Sequence, residues 1–248
     1  MSTPARARLD LEMARRGLAE SRERAQRMIM AGLVRVNSRP AAKADLKVDA
    51  AAQIEVVTST PEYASRGAWK LIAALDHFAV KVEGRYALDV GASTGGFTDV
   101  LLARGAAQVV ALDVGYGQLV MRLRKDPRVT VLDRTNVRFV EPRDLPYQPD
   151  LIVIDTSFIS LRLVLPAVIR IAARPAEIVA LVKPQFEVGK GLVGKGGVVR
   201  DEELRRQAVE GILRFAAEAG LDVAGAIESP LKGPAGNRES LAMMRLMP

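Results

Sequence analysis

Tyr86-Ala-Leu-Asp89-Val-Gly91-Ala92-Ser93-Thr-Gly95-Gly96-Phe97 joins a short apolar run to a glycine-rich turn. The run reads as a buried strand, the glycines as a tight turn, and Thr98 to Arg104 as a helix. Further along the chain the pattern repeats. Ala107 to Asp113, Val129 to Asp133, Asp150 to Asp155 and Ile178 to Lys183 are apolar runs that each end in a charge. Strands alternating with helices predict a doubly wound parallel α/β sheet. Ligands of such sheets lie outside the carboxyl ends of the strands. Asp155 and Lys183 should therefore face one rim. Glu239 opens Glu239-Ser-Leu-Ala-Met-Met244, which reads as another strand of the same parallel sheet. The competing reading is a set of unrelated charges at strand ends.

The turn narrows the ligand. Its glycines let the backbone pass close beneath a bound molecule. Asp113 follows about 20 residues after the turn, where an acid can hydrogen-bond a ribose diol. A nicotinamide site needs glycine at the third position of the turn, and Ser93 stands there. A second glycine stretch, Gly189-Lys-Gly-Leu-Val-Gly194-Lys195-Gly196, is nearly a P-loop. Its magnesium-holding Ser/Thr is replaced by Gly196, which leaves a basic or plain surface loop. His77 and Trp69 read as packing residues.

Composition excludes several classes. With 248 residues the chain can build a full α/β core and a small second domain. It has no cysteine, so disulfides, thiolate metal sites and cysteine nucleophiles are ruled out. One histidine argues against a metal site. No apolar run approaches the ~18 residues of a membrane span, and the start lacks a signal-peptide stretch. A cytoplasmic protein is expected.

The net charge is +7, and residues 1–58 carry 11 Lys/Arg against 7 Asp/Glu. This density suits phosphate contacts, or it serves solubility alone. Leu9 to Gly17 and Arg22 to Gly32 read as helices, with Ser21 as the cap of the second. Leu33 to Pro40 reads as a strand entering a tight turn. Arg15, Arg16, Arg22, Arg24, Arg27, Arg35, Arg39 and Lys43 are candidate RNA contacts if they share a face. Ala50 to Glu62 reads as a strand end and a linker. We assign residues 1–58 to a small α+β domain and 59–248 to the α/β domain, whose regular structure starts near Tyr63.

Arg8-Leu-Asp, Arg16-Gly-Leu-Ala-Glu-Ser-Arg-Glu-Arg-Ala, Ile29-Met-Ala-Gly-Leu-Val-Arg-Val-Asn and Lys43 to Val48 resemble the α-L RNA-binding motif of the ribosomal-protein-S-four-like family. Ser38 departs from it, since that family usually has glycine after Asn37. The stretch from Leu88 to Thr98 resembles the S-adenosylmethionine loop of FtsJ-like ribose methyltransferases, a class I Rossmann-like fold. That resemblance implies cofactor contacts from Asp89, Gly91, Ala92, Ser93, Gly95, Gly96, Phe97, Asp113 and Asp155, with Asp133 either facing the adenine amine or serving as a turn residue ahead of Arg134. Ser65-Arg-Gly-Ala-Trp-Lys70-Leu differs from the usual form of its motif only at Ala68. It implies a Lys-Asp-Lys-Glu tetrad of Lys70, Asp155, Lys183 and Glu239. Whether Lys183 removes the proton of a ribose hydroxyl or orients the hydroxyl stays open.

The two domains together resemble the TlyA (hemolysin A) family over essentially the whole chain. Lys183 to Lys190 and Ser229-Pro-Leu-Lys-Gly-Pro-Ala-Gly-Asn237 add to the match. The resemblance implies S-adenosylmethionine-dependent 2′-O-methylation of ribose, chiefly cytidine, in ribosomal RNA of ribosomal subunits, with no metal. The alternatives are an RNA- or ribosome-binding protein without catalysis and a cytolysin.

Overall fold

Leu9, Met13, Ala25 and Ile29 are buried at helical spacing and pack two short helices together. These are α1 (Leu9–Arg15), entered from β1 (Ala7–Arg8), and α2 (Arg22–Met30). Gly17, at φ +70°, ends the first helix region. The Ser21 hydroxyl accepts from the Arg24 N–H at 3.1 Å, as expected of the cap. β2 (Val34–Val36) and β3 (Arg39–Pro40) form a hairpin, with Asn37 at φ 49° and Ser38 at φ 64° between them. Both turn residues are left-handed, as a two-residue turn of this hand demands. β4 (Lys47–Val48) pairs with β1, and β5 (Ile54–Val56) pairs with β2.

The structure is a computed structural model. It describes residues 6–30, 33–41, 43–56, 63–194, 196–233 and 235–248. The side chains of Arg27, Met30 and Lys190 lie outside the described set, as do the linker positions 57–62 and Lys195. The chain forms two compact units, Met1–Glu62 and Tyr63–Pro248.

In the second unit, α3 (Ala68–His77) precedes the strand β6 (Tyr86–Val90), and α4 (Gly96–Ala103) follows the glycine turn. β7 (Gln108–Leu112), the four-residue α5 (Met121–Arg124), β8 (Val129–Leu132) and β9 (Leu151–Ile154) come next. They are followed by α6 (Leu161–Ile171), β10 (Ala176–Val182), the short α7 (Pro184–Glu187) and α8 (Glu202–Glu218). β11 (Asp222–Glu228) and β12 (Ser240–Leu246) end the chain.

Among the described residues one seven-stranded sheet forms in the order β11-β12-β10-β9-β6-β7-β8. β10, β9, β6, β7 and β8 are mutually parallel, and both faces of the run are covered. Leu151 and Val153 pack on the α3–α4 side, while Ile152 and Ile154 pack on the α6–α8 side. Burial on both faces explains why these strands read as continuous apolar runs.

One expectation needs correction. β12 is antiparallel to both of its neighbours, so the sheet is mixed and not wholly parallel. The reversal decides the site. Had β12 run parallel, Glu239 would lie at the opposite edge, roughly 20 Å away for a strand of this length. Because it runs antiparallel, Ser240 pairs with Val182. Glu239 and Lys183 therefore flank the same end of one ladder.

Candidate active site

The turn after β6 is shaped by backbone that a side chain would obstruct. Gly91 has φ +89°, and a Cβ there would stand 2.6 Å from the Asp155 carbonyl oxygen. Gly95 has φ +102°, with Leu119 and Leu123 where its Cβ would go. At Gly96 the Ser65 hydroxyl fills that place. These approaches leave a cavity of ≈160 Å³ lined by Gly91, Ala92, Ser93, Thr94, Gly96 and Phe97. Ser65 and Gly67, from the segment leading into α3, and Asp155, just past β9, complete the lining.

Four expected cofactor residues, Asp89, Gly95, Asp113 and Asp133, do not line the cavity. Asp89 is fully buried and turns away from the cavity to the start of α4. Its Oδ2 accepts from the Thr98 N–H at 2.8 Å and the Thr98 hydroxyl at 2.7 Å, while Oδ1 is without a hydrogen-bond partner. Desolvation pushes its carboxyl up to about 7, with the Asp155 charge adding to the effect. Asp89 therefore holds the loop and is not part of the cavity wall. Asp113 sits at the rim, where its carboxylate accepts from the Ser93 N–H at 2.8 Å and the Gly115 N–H at 2.7 Å. A carboxylate can accept about four bonds, so capacity for a ligand diol remains. Asp133 is ion-paired to Arg124 at 2.7 Å, which holds its carboxyl below the usual range, and it does not line the cavity.

The four tetrad candidates form two ion pairs. α3 presents Lys70, whose Nζ lies 2.5 Å from Glu239 Oε2. Lys183 Nζ lies 2.6 Å from Asp155 Oδ1. Lys70, Lys183 and Glu239 are buried, and Glu239 is 1% exposed. Burying one member of such a pair alone is costly, so each charge depends on its partner. The second oxygen of Glu239 has no hydrogen-bond partner and lies against Gly233, where a Cβ would meet it.

Neighbouring residues that sequence reasoning missed hold this arrangement. Ser157 accepts from Lys183 Nζ at 2.9 Å. Glu187 on α7 accepts from the Ser160 hydroxyl at 2.6 Å and the Leu161 N–H at 2.9 Å, which binds the loop after β9 to the residues after β10. Asn237 is buried, accepts from the Val199 N–H at 2.9 Å and donates to the Gly197 carbonyl at 2.8 Å. Asp99 accepts from the Ala64 N–H at 2.7 Å and from Arg122. No spacing signal marks these contacts, because each joins separate loops.

The near-P-loop is not a phosphate loop. A 3-10 turn at Lys190–Leu192 and a bridge from Gly194 to Val198 follow α7, and α8 begins only at Glu202. Trp69 and His77 are surface residues, not packed ones. Trp69 meets the Tyr63 ring edge-on at 5.9 Å, and His77 meets Phe78 at 4.7 Å.

In the first unit the basic residues do not share one role. Arg16 is turned onto its own unit, to Glu12 at 2.6 Å and the Ala52 and Ala50 carbonyls at 2.7 and 3.0 Å. Arg22 reaches the buried Asp10 at 3.0 Å, and Arg15 pairs with Glu12 at 2.6 Å. Arg8 first, then Gln26 and Arg22, holds the Asp10 carboxyl below the usual range, and Arg15 with Arg16 does the same for Glu12. Arg35, Arg39 and Lys43 are exposed on or beside the hairpin. Arg24 is half-buried near the start of α2.

The profile of FtsJ-like methyltransferases matches residues 63–246, and that of the S4 domain matches residues 7–54. The chain is 54% identical over 241 residues to the 16S/23S rRNA (cytidine-2′-O)-methyltransferase TlyA of Mycobacterium tuberculosis, covering 97% of this chain and 90% of that one. It is 40% identical to Hemolysin A of Brachyspira hyodysenteriae, covering 95% and 98%. A solved structure of a protein designated a hemolysin, from Streptococcus thermophilus, superposes with a TM-score of 0.77 at 41% identity, covering 99% of this chain and 90% of that one.

Proposed function

Because the chain belongs to the FtsJ-like methyltransferase family, we propose that it methylates the 2′-hydroxyl of a cytidine in ribosomal RNA. S-adenosylmethionine is the methyl donor, and ribosomal subunits in the cytoplasm are the substrate. The observation that carries the reading is Asp155, which lines the glycine-walled cavity and also grips the buried Lys183. One carboxylate thus joins the glycine-walled recess to a lysine suited to act on a hydroxyl.

The residues fit the cofactor. The backbone of Gly91 to Phe97 lets a nucleoside approach closely, and Asp113 at the rim offers acceptor capacity for a ribose diol. When bound, S-adenosylmethionine supplies an electrophilic methyl carbon on a sulfonium. The chain's own residues prepare the nucleophile. Asp155 pairs with the charge of Lys183 Nζ and Ser157 accepts a hydrogen bond from it, which leaves its third position for the 2′-hydroxyl. As the neutral amine Lys183 receives the hydroxyl proton at that position; as the ammonium it donates a hydrogen bond to the hydroxyl oxygen and orients it, and the hydroxyl proton passes to water as the oxygen is alkylated. Lys70, neutralised by Glu239, keeps a second cation at the same rim without an unpaired buried charge. The S4 unit supplies RNA affinity through exposed cations such as Arg35, Arg39 and Lys43.

The test is transfer of labelled methyl to purified ribosomal subunits, with nuclease digestion to nucleosides. Label should appear in 2′-O-methylcytidine. Label on a base, or no transfer to either subunit, overturns the proposal.

A further inference from the structure

We propose that Ser157 is a positioning residue for Lys183, and that it sets the direction in which the amine faces the substrate hydroxyl. The inference rests on the ribose-methylation reading.

A lysine amine turns freely about its last carbon–nitrogen bond. An ion-pair contact alone does not set that rotor, and a directional hydrogen bond beside it fixes where the third position points. Lys183 has both, the ion pair with Asp155 Oδ1 at 2.6 Å and a hydrogen bond donated to Ser157 Oγ at 2.9 Å. The lysine is buried, whereas Ser157 is on the exposed side of the pair. The fixed third direction is what proximity catalysis requires of a group that must meet a hydroxyl. With Lys183 donating, the serine oxygen accepts, and its own proton is directed elsewhere.

The backbone around Ser157 is held for this purpose. Phe158 follows at φ 63°, a left-handed conformation that is costly for an L-residue and persists only where the surroundings impose it. Its ring is almost wholly exposed and touches Phe186 at 5.3 Å, so core packing does not account for the turn. Downstream, Glu187 anchors Ser160 and Leu161. Upstream, the Asp155 N–H donates to the Val90 carbonyl at 2.9 Å. The loop is fixed at both ends, and Ser157 lies between them.

The experiment compares Ser157→Ala and Ser157→Thr with wild type in the full-length protein. Methyl transfer to ribosomal subunits is one readout. The rate at which Lys183 is acylated by an amine-reactive ester, followed by mass spectrometry, is the other. Loss of a hydrogen bond to a charged amine should lower kcat about ten- to hundredfold in the alanine variant. KM for subunits and calorimetric affinity for S-adenosylmethionine should stay within about twofold, since the serine contacts neither in this scheme. The threonine variant, which keeps the hydroxyl, should recover most of kcat. Lys183 acylation should rise severalfold in the alanine variant only. Unchanged kcat with active wild type overturns the inference, as does an alanine defect that threonine fails to repair. If wild type transfers no methyl, the ribose-methylation reading fails, and unchanged Lys183 acylation then still rejects the positioning role.

Discussion

Lys183 and Asp113 serve different halves of the proposed reaction, so their loss should separate binding from chemistry. Lys183→Ala should abolish methyl transfer yet leave S-adenosylmethionine affinity near wild type, because the amine serves the hydroxyl. Transfer at a near-normal rate removes Lys183 from the scheme. Asp113→Ala should weaken cofactor affinity by roughly 1.5–3 kcal/mol, the size of a hydrogen bond to a charged acceptor. Calorimetry showing unchanged affinity contradicts the rim assignment. Asp89 predicts a pH effect. Its carboxyl titrates near 7 in the fold and near 3.8 when unfolded. As pH rises the unfolded chain loses this proton first, so the contribution to stability is complete below about 4 and is lost on approaching 7. Asp89→Asn removes that dependence. The stability difference, wild type minus variant, should fall by roughly 1 kcal/mol per pH unit across this window. Urea unfolding at several pH values measures it, and a flat difference shows that Asp89 is ionised in the fold.

At the scale of elements, the glycine turn and the β2–β3 hairpin both demand a left-handed φ, and only the first also demands an absent Cβ. Gly91 needs both a left-handed backbone and an absent Cβ. Gly91→Ala should push Asp155 aside and lower cofactor affinity at least tenfold, at a stability cost of about 1–2 kcal/mol. Affinity within twofold of wild type shows that the turn has room to yield. Ser38 occupies a left-handed position without being glycine. Ser38→Gly should stabilise the first unit by about 1 kcal/mol, read from its urea transition. Strands β6 to β10 and helices α1, α2 and α4 were legible in the sequence because their apolar runs are buried or half-buried, or keep helical spacing, whereas α6 and β11 were not read from it. The direction of β12 was not legible, since a strand's residues do not record which neighbour it pairs with or how it runs. Nor was the inward turn of Asp89, because an acid at a strand end reads the same whether it meets a ligand or a helix N-terminus.

For the whole molecule, the two units carry separate hydrophobic cores. The four tetrad residues and the glycine cavity belong to residues 63–248 alone. A chain beginning at Tyr63 should therefore fold, bind S-adenosylmethionine normally and methylate ribosomal subunits poorly. Subunit methylation and a cofactor titration on one preparation test this. Undiminished methylation shows that the first unit is not the RNA-recognition element. Charge reversal belongs at Arg35 and Arg39, which are exposed, and not at Arg16, whose guanidinium is bound to its own unit. Reversing Arg35 and Arg39 should weaken RNA binding and flatten its salt dependence. Reversing Arg16 should instead destabilise the first unit. Among the described residues no helix is long and apolar enough to cross a membrane.

The sequence by itself determined the class of fold, the glycine turn, the two-unit organisation and the residue types of the tetrad. The first three follow from local pattern, periodicity and glycine at bends, whereas the tetrad is implied by a family resemblance, with Lys70 resting on that resemblance alone. Only the tertiary structure decided which charges meet. The pairing of Lys70 with Glu239 spans 169 positions and depends on an antiparallel last strand packed beside α3. The grip of Ser157 on Lys183, the burial of Asp89 and the internal role of Arg16 depend likewise on which loops and strands come together. Such contacts arise from chain reversal and packing between distant segments, and short-range spacing carries no record of either.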